Sequence, residues 1–251
     1  MDGDTAPVAA MLDAAAAARA VLVVDEAHGT GVFGPGGRGV LSATRGALPR
    51  LERAADDAPA AHPALLAAVH TFGKALGAHG AAVLGSHALR SYLLNYARPL
   101  VYSTALPAHA AAAARICYAR QASADGDARR AHVAALAALF AEALTTDRDT
   151  AMETAPPLPR ERLIASGSPI QAVLVPGAER AVAAAAALQH AGFDVRAIRA
   201  PTVAAGHERL RIIVHAHNTR REVWELARRI REVLAEQRED ESADLASASG
   251  G

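Results

Sequence analysis

The sequence predicts an α/β protein, and three observations support that class. Short apolar runs bounded by polar residues or glycine occur at 21–24, 65–69 and 81–84, as is typical of strands buried on both faces of a parallel sheet. An Ala-rich stretch from 107 to 144 has almost no helix breakers, so it predicts one long helix or two helices that meet near Asp125-Gly126. Beyond a proline-rich linker, strand and helix patterns alternate, which predicts a second, smaller α/β domain.

The other elements follow from periodicity and from the positions of breakers. A helix is expected at 8–20, a glycine-rich loop at 29–39 and a disordered polar tail at 237–251. In the smaller domain we expect strands at 170–175, 195–198 and 210–215 and helices at 178–191 and 219–236. The chain therefore divides into a large-domain part over 1–106, a helix and linker over 107–160, a small domain over 161–236 and the tail.

Composition and charge argue against several functional classes. The 26 lysine and arginine residues balance 26 acidic residues, so the basic excess that drives nucleic-acid binding is missing. The single Cys117 rules out an internal disulfide and a multi-cysteine metal site. No apolar run reaches the roughly 18 residues of a membrane span, and the N-terminus does not look like a signal peptide, so we expect a cytoplasmic protein. His215 and His217 should point to opposite faces of one strand, and no metal site is predicted.

The string VVDEAH at 23–28 ends a predicted strand and has two functional interpretations. In a DEAH helicase, Asp25 would hold Mg²⁺, Glu26 would orient a water molecule, and the string SAT at 42–44 would follow. That interpretation requires a phosphate loop of the form GxxxxGK[ST], which the sequence lacks. The zero net charge also argues against a groove that tracks a nucleic-acid strand, so the helicase remains a remote alternative.

The second interpretation starts from Lys74, which lies in a glycine-flanked turn after a predicted strand, three residues beyond Thr71. We expect this turn to desolvate the lysine partly, which favours its neutral amine, and a neutral amine can form a Schiff base with an aldehyde. Pyridoxal phosphate is the aldehyde cofactor that needs such a lysine together with a carboxylate on its ring nitrogen. Asp25, at the end of a strand, is suited to that second role.

Four strings, in order along the chain, resemble a known family. They are VDEAHGTGVFGPGGRG at 24–39, HTFGKALGAHGAAVLGS at 70–86, RPLVYSTALP at 98–107 and IRAPTVAAGHERLRI at 198–212. The chain resembles the α-oxoamine synthases, which are class II aminotransferase-like enzymes that use pyridoxal 5'-phosphate to condense an amino acid with an acyl-CoA and release CO₂. The resemblance implies a fold-type I transferase, of which this chain holds the C-terminal part of the large domain and the small domain.

Within that family the chain is most similar to the branch that joins L-alanine to pimeloyl-CoA in biotin biosynthesis. Glycine C-acetyltransferase and 5-aminolevulinate synthase are other branches that stay open. The resemblance also implies a homodimer whose two subunits share each active site.

The resemblance assigns roles to four residues of the large-domain part. Lys74 would hold the cofactor and move the α-proton of the substrate, and Asp25 would pair with the pyridine nitrogen. His28 would contact the phenolic oxygen of the cofactor, and Thr71 would contact the cofactor from the lysine loop. For His28 the simpler alternative is a solvated side chain, and for Thr71 it is a threonine that stabilises a turn.

Further roles fall on Ser103 and Thr104, and on residues of the small domain. Ser103 and Thr104 would reach the cofactor phosphate of the partner subunit, with capping of the helix near Pro107 as the alternative. Thr202 and Arg211 would bind the substrate, Arg211 through the amino-acid carboxylate. Arg209, two residues away on the same strand face, is the competing candidate for that carboxylate.

The chain also departs from the family pattern. MDGD at 1–4 looks like an internal SMDGD segment, so we expect the N-terminal half to be absent, together with the aromatic residue that stacks on the cofactor ring. An open sheet edge, poor solubility or dependence on another chain should follow. Lys74 follows Asp25 by 49 residues, which indicates an insertion at about 47–62. The chain is accordingly either a catalyst, alone or complemented, or an inactive remnant or interaction subunit of the family.

Overall fold

The computed structural model describes residues 1–44, 62–146 and 155–249, with side chains as far as Arg238. The predicted insertion at 47–62 therefore lies, apart from His62, outside the described residues. The chain forms two compact units, one over Thr5–Arg130 and one over Ala131–Gly251 that also includes Met1–Asp4. This division differs from the predicted boundaries at 106 and 161, because the Ala-rich helical region is shared between the two units. No helix in the described ranges combines the length and apolarity that crossing a membrane requires.

The N-terminal unit contains a three-stranded sheet and several helices. Its strands are β1 (Leu22–Asp25), β2 (Leu65–Thr71) and β3 (Ala81–Gly85), in the order β1-β2-β3. Strand β1 runs parallel to β2, whereas β3 is antiparallel to β2. The helices are α1 (Val8–Ala17), α2 (Val40–Ala43), α3 (His87–Tyr96), α4 (Arg98–Val101) and α5 (Ala108–Gln121), together with the first residues of α6 (Ala124–Thr145), which belongs from Ala131 onward to the C-terminal unit. The three predicted strands are confirmed, but α2, α3 and α4 were not predicted.

One face of this sheet is covered by an apolar core, and the other is open. Val8 and Leu12 of α1 pack with Leu41 of α2 and with Ala68 of β2 on the covered face. On the opposite face Val23 is 54% exposed, so the expectation that this strand is buried on both sides was wrong for the described residues. The physical reason is that none of the described elements packs a core against Val23. The open face is the one on which Asp25 lies, because alternate residues of a strand share a face.

The Ala-rich region forms two helices, as one of the two predicted alternatives stated. The break falls at Ala122 and Ser123, slightly before the predicted Asp125-Gly126. Gly126 lies in the first turn of α6, where a Cβ atom would clash with the carbonyl oxygen of Gln121. Glycine is therefore required here because the end of α5 approaches the backbone of α6.

The C-terminal unit contains a four-stranded antiparallel sheet and two further helices. The strands are β4 (Leu163–Ile164), β5 (Ile170–Leu174), β6 (Arg196–Ile198) and β7 (Arg209–Ile213), in the order β4-β5-β7-β6. The helices are α7 (Ala178–His190) and α8 (Arg220–Ser249). Phe140 and Leu144 of α6 are fully buried in the same core as Val173, Leu188 and Ile230. The predicted strands and the predicted helix at 178–191 are confirmed within a few residues, whereas the helix predicted at 219–236 extends further.

The predicted disordered tail is instead helical as far as Ser249, because α8 continues through Gln237. The segment from 237 to 249 contains neither proline nor glycine, and the first breaker is Gly250. Its polar composition suggested disorder, but Ala, Glu, Arg and Leu are good helix formers and allow α8 to propagate.

Glu208 provides a test of how the C-terminal unit is stabilised. Its buried carboxylate accepts a hydrogen bond from the Gly177 amide, just before α7, with Oε2 to N at 3.0 Å. This bond and further backbone amides hold the pKa of Glu208 below its ordinary value of 4.5, although burial opposes the shift. A lowered pKa means that folding favours the carboxylate, so its contribution is complete above pH 4.5 and is lost as the pH falls further.

We therefore expect Glu208→Gln to lower the thermal midpoint of the C-terminal unit at pH 7. The deficit relative to the parent chain should shrink progressively below pH 4.5. Fluorescence of Trp224, the single tryptophan, reports this unit because it lies in α8. Glu179→Gln, an exposed carboxylate in the first turn of α7, serves as the control. A deficit that is constant between pH 7 and pH 3 would contradict the prediction.

Candidate active site

Asp25 is the last residue of β1 and lies on the open face of the sheet. Its Oδ1 accepts a hydrogen bond from the Ala27 amide at 2.7 Å, which turns the chain sharply after the strand. The next amide, that of Glu26, donates to the Val69 carbonyl of β2 at 2.8 Å and continues the sheet ladder by one residue. The carboxylate of Asp25 is therefore fixed at its own strand end and remains exposed.

Thr71 ends the neighbouring strand on the same face. Asp25 pairs with Val69, and Thr71 lies two residues beyond Val69, so the side chains of Asp25 and Thr71 share the open face. Strand spacing and rise place their Cα atoms about 8 Å apart. Thr71 Oγ1 is buried and has no hydrogen-bond partner among the described residues. The alternative role, a hydroxyl that stabilises the turn, is thus not supported.

Lys74 lies three residues beyond Thr71, in the turn that joins β2 to β3. The turn is closed by Phe72 N to Gly80 O at 2.9 Å and by Ala78 N to Phe72 O at 2.7 Å. Phe72 and Leu76 are buried with α5 and anchor the turn, while Lys74 itself is exposed. The expected partial desolvation of Lys74 was therefore wrong within the described residues, because the turn buries its apolar neighbours and not the amine.

The number of lysines in the sequence adds an observation that the motifs alone do not reveal. Lys74 is the only lysine among 251 residues, and the other 25 basic side chains are arginines. Arginine stays protonated under all ordinary conditions and does not react with aldehydes as an amine does. Apart from the N-terminus, this turn therefore holds the only primary amine of the chain.

Glu26 has a structural role that the sequence did not indicate. It is only 2% exposed, and its carboxylate accepts the amide hydrogens of Val40 at 3.0 Å and Leu41 at 2.7 Å, the first two residues of α2. Gly39 has a φ of +98°, and a Cβ there would lie 2.7 Å from the Glu26 carboxylate. A buried, fully engaged carboxylate cannot orient a water molecule, so the helicase interpretation of the motif is not supported.

The remaining predicted cofactor contacts are exposed. His28 lies on the surface in the turn after Asp25. Ser103 and Thr104 follow α4 and are also exposed. The alternative capping role for Ser103 and Thr104 is not observed, because α5 begins after Pro107 without a side-chain cap from the described residues. Their accessibility leaves both hydroxyls available to another molecule.

The two candidate arginines of the C-terminal unit differ in their surroundings. Arg209 is 7% exposed, forms an ion pair with Asp2 at 2.6 Å and donates from Nε to the His207 carbonyl at 2.9 Å. Arg211 is half-buried, and its Nε donates to the Met1 carbonyl at 3.1 Å. Thr202 is exposed in the loop between β6 and β7. These contacts give Arg209 a structural role, and the carboxylate contact of Arg211 stays a prediction.

The expectation that His215 and His217 point to opposite faces of one strand was wrong. Strand β7 ends at Ile213, so the two histidines lie in the following turn, and their rings stack with centroids 5.1 Å apart. Alternation along a strand therefore does not apply to them. Among the described residues, no group of three or more potential ligands is arranged to hold a metal ion.

Comparison with known proteins places this geometry in a family. The chain is 39% identical over 240 residues to 8-amino-7-oxononanoate synthase of Xanthomonas axonopodis pv. citri, a match that covers 94% of this chain and 53% of the relative. It is also similar to a solved structure of SPT with a PLP internal aldimine, with 27% identity and a TM-score of 0.73 over 92% of this chain and 51% of that one. A third match is 8-amino-7-oxononanoate synthase of Francisella tularensis, with 26% identity and a TM-score of 0.65 over 86% of this chain and 55% of that one.

These similarities confirm the predicted fold-type I class and the resemblance stated from the motifs. The chain spans about half the length of the curated relatives that it matches. The family model described as aminotransferase class I and II matches residues 1–230, which include both units, the turn of Lys74 and the strand of Arg211. The chain belongs to the aminotransferase class I and II family.

Proposed function

We propose that this chain carries the cofactor-binding lysine and the amino-acid-binding residues of a pyridoxal-phosphate-dependent acyltransferase. The reaction is the condensation of an amino acid with an acyl-CoA, and the proposed substrates are L-alanine and pimeloyl-CoA in biotin biosynthesis. Relatives named 8-amino-7-oxononanoate synthase support this choice over the other branches of the family. One observation carries the proposal: the only lysine of the chain lies in an exposed turn that follows Thr71, whose strand neighbours that of Asp25.

The described residues fit pyridoxal phosphate. Thr71 Oγ1 is buried without a partner among the described residues, and a bound group that reached it with an oxygen acceptor would satisfy it. Asp25 offers a carboxylate on the same face for a protonated ring nitrogen, and Lys74 offers an amine for an aldehyde carbon. When bound, pyridoxal phosphate would supply an electron sink for bonds broken at the amino-acid Cα.

The residues of the chain would bind the cofactor and the substrate and would transfer the proton. Lys74 would release the cofactor to the incoming amino acid and then accept the proton from the substrate Cα at Nζ. Asp25 would keep the ring nitrogen protonated, and His28 would donate to the phenolic oxygen. Arg211 would bind the substrate carboxylate through two parallel hydrogen bonds, with Thr202 beside the substrate. Arg209 would not compete, because Asp2 already engages its guanidinium.

We also propose that the chain forms a homodimer in which Ser103 and Thr104 reach the cofactor of the partner subunit. Helix α3 has no buried residue, and large apolar side chains are exposed around α3 and α4, among them Tyr92, Tyr96, Leu100 and Tyr102. An apolar surface of this kind beside Ser103 and Thr104 supports an interface at this place. Light scattering should then give twice the mass of one chain, and a monomer at micromolar concentration would contradict the homodimer.

The function is tested by loading the full chain with pyridoxal phosphate, reducing it with borohydride and mapping the modified peptide. We expect one modification, at Lys74. Release of CoA from pimeloyl-CoA is then compared for alanine, glycine and serine, with alanine expected to be preferred. A chain that takes up the cofactor but releases no CoA would support the inactive remnant of this family. A chain that takes up no cofactor would overturn the proposal.

Thr71→Val should weaken cofactor binding without lowering the stability of the chain. Loss of one hydrogen bond to the cofactor should weaken cofactor retention by up to about tenfold, since a hydrogen bond contributes roughly 0.5–1.5 kcal/mol. The unfolding midpoint without cofactor should stay the same or rise, because the substitution removes a buried hydroxyl that has no partner in the part of the chain that the structure describes. Equilibrium dialysis and thermal melts measure the two effects, and Thr5→Val, at an exposed threonine, is the control. A lowered midpoint with unchanged retention would contradict this role.

A further inference from the structure

A buried polar cluster lies on the covered side of the N-terminal sheet and is not used by the proposed chemistry. It consists of Glu26, Thr30 and His70, all of which are less than 9% exposed. Thr30 Oγ1 lies 2.7 Å from His70 Nδ1 and 2.8 Å from the Glu26 carbonyl oxygen. This cluster joins the turn after β1 to strand β2 across 40 residues of sequence. Buried polar groups are costly unless they are paired, so the arrangement constrains both segments.

A count of protons assigns the direction of these bonds. The Thr30 hydroxyl has one hydrogen, and a carbonyl oxygen can only accept, so that hydrogen goes to Glu26 O. The bond between Thr30 Oγ1 and His70 Nδ1 must then use a hydrogen on the imidazole. Burial lowers the pKa of His70 even though Glu26 and Asp25 act to raise it, so the ring is neutral at pH 7. The single ring proton of His70 is therefore on Nδ1.

The position of the cluster relates it directly to the proposed site. Successive residues of a strand point to opposite faces, so Glu26 lies behind Asp25 and His70 lies behind Thr71. The backbone that presents Asp25 and Thr71 on the open face is thus held from the covered face by the side chains of their immediate neighbours. Lys74 follows four residues after His70 on the same segment.

We propose that His70 is a positioning residue, whose Nδ1–H bond to Thr30 holds the turn after Asp25 against the strand that carries Thr71 and leads to Lys74. This inference rests on the proposed function in one respect: the geometry that His70 maintains is that of the cofactor site. His70 does not touch the cofactor in this arrangement, because it lies on the other face of the sheet.

The test uses substitutions of His70 that either keep a hydrogen-bond donor near the position of Nδ1 or move it away. Asn at position 70 places an amide N–H near the former Nδ1, whereas Gln places its amide about one bond further out. Thr30→Val removes the acceptor with almost no change of shape. The full chain is prepared as His70→Asn, His70→Gln, Thr30→Val and the double variant His70→Gln/Thr30→Val, with His109→Gln as a control at an exposed histidine on α5.

Three measurements decide the proposal. Nitrogen-15 NMR of the imidazoles should show the Nδ1–H tautomer at His70. Amide exchange without cofactor should be faster at 26–31 in His70→Gln and in Thr30→Val, but not in His70→Asn. Cofactor retention at Lys74 should weaken about tenfold in His70→Gln and in Thr30→Val, and no further in the double variant, as expected for one shared buried bond. His70→Asn should restore retention to within about threefold.

The outcomes separate the two proposals. If the unsubstituted chain takes up no pyridoxal phosphate at Lys74, the proposed function fails, and the exchange and NMR measurements still decide whether His70 holds the turn. An Nε2–H tautomer, or equal exchange and equal retention in His70→Asn and His70→Gln, would overturn the positioning role. A uniform loss of thermal stability with unchanged retention would also overturn it, because His70 would then only stabilise the unit.

Discussion

Lys74→Arg should abolish covalent capture of pyridoxal phosphate by this chain. The substitution keeps the positive charge and the length of the side chain, but a guanidinium stays protonated and offers no amine to an aldehyde. Because Lys74 is the only lysine, no neighbouring ε-amine can substitute for it. We expect the borohydride-fixed modification of the peptide that contains position 74 to disappear completely, together with the visible absorbance that depends on it.

The N-terminal amine provides an internal control for this experiment. It can react weakly with aldehydes in solution, and peptide mapping distinguishes its modification from that of Lys74. The parent chain should be modified at Lys74 well below the cofactor concentration at which the N-terminus reacts, and Lys74→Arg should show only the latter. Equal modification of the N-terminus and Lys74 in the parent chain would show that the turn confers no specific binding.

Glu26→Ala should destabilise the N-terminal unit by about 3 kcal/mol. The substitution leaves the amides of Val40 and Leu41 without their acceptor in a buried place, and each unsatisfied buried amide costs about 1–3 kcal/mol. Loss of the side chain also leaves a cavity beside Gly39, which adds to the cost. Urea titration followed by amide exchange over 22–44 measures the effect.

Two comparisons make this prediction specific. Glu26→Gln keeps one acceptor oxygen at nearly the same volume, so we expect a smaller loss than for Glu26→Ala. Trp224 reports the C-terminal unit, and its fluorescence transition should keep its midpoint in both variants. A loss as large in Glu26→Gln as in Glu26→Ala would mean that cavity formation does not contribute.

The sequence predicts the strands and turns of this fold where the pattern that marks them extends over only a few residues. The runs at 65–69 and 81–84 became β2 and β3, and the glycine-flanked turn of Lys74 lies where the strand pattern ended. Patterns of apolar residues and turn residues act over a few positions, and they sufficed there. The family motifs named Asp25 and Thr71 as cofactor contacts, but their position on neighbouring strands is known only from the pairing of β1 with β2.

The predictions that were wrong or missing share a different cause, which is contact between residues that are distant in the sequence. Glu26 binds amides 14 and 15 residues later, and Thr30 meets His70 across 40 residues, so no local pattern marks these side chains as buried. Val23 was expected to be buried because its neighbours are apolar, whereas burial depends on what packs against the face. The exposure of Lys74 likewise depends on how Phe72 and Leu76 fold beneath it.

The exposed turn of Lys74 also makes this protein unusually simple to probe by limited proteolysis. A protease that cleaves only after lysine has a single target, and its products are residues 1–74 and 75–251. The protease needs a free and accessible side chain at that point, so the rate at which the two bands appear on a gel reports the state of one amine. Any molecule that occupies or covers the turn can be ranked by the protection that it gives.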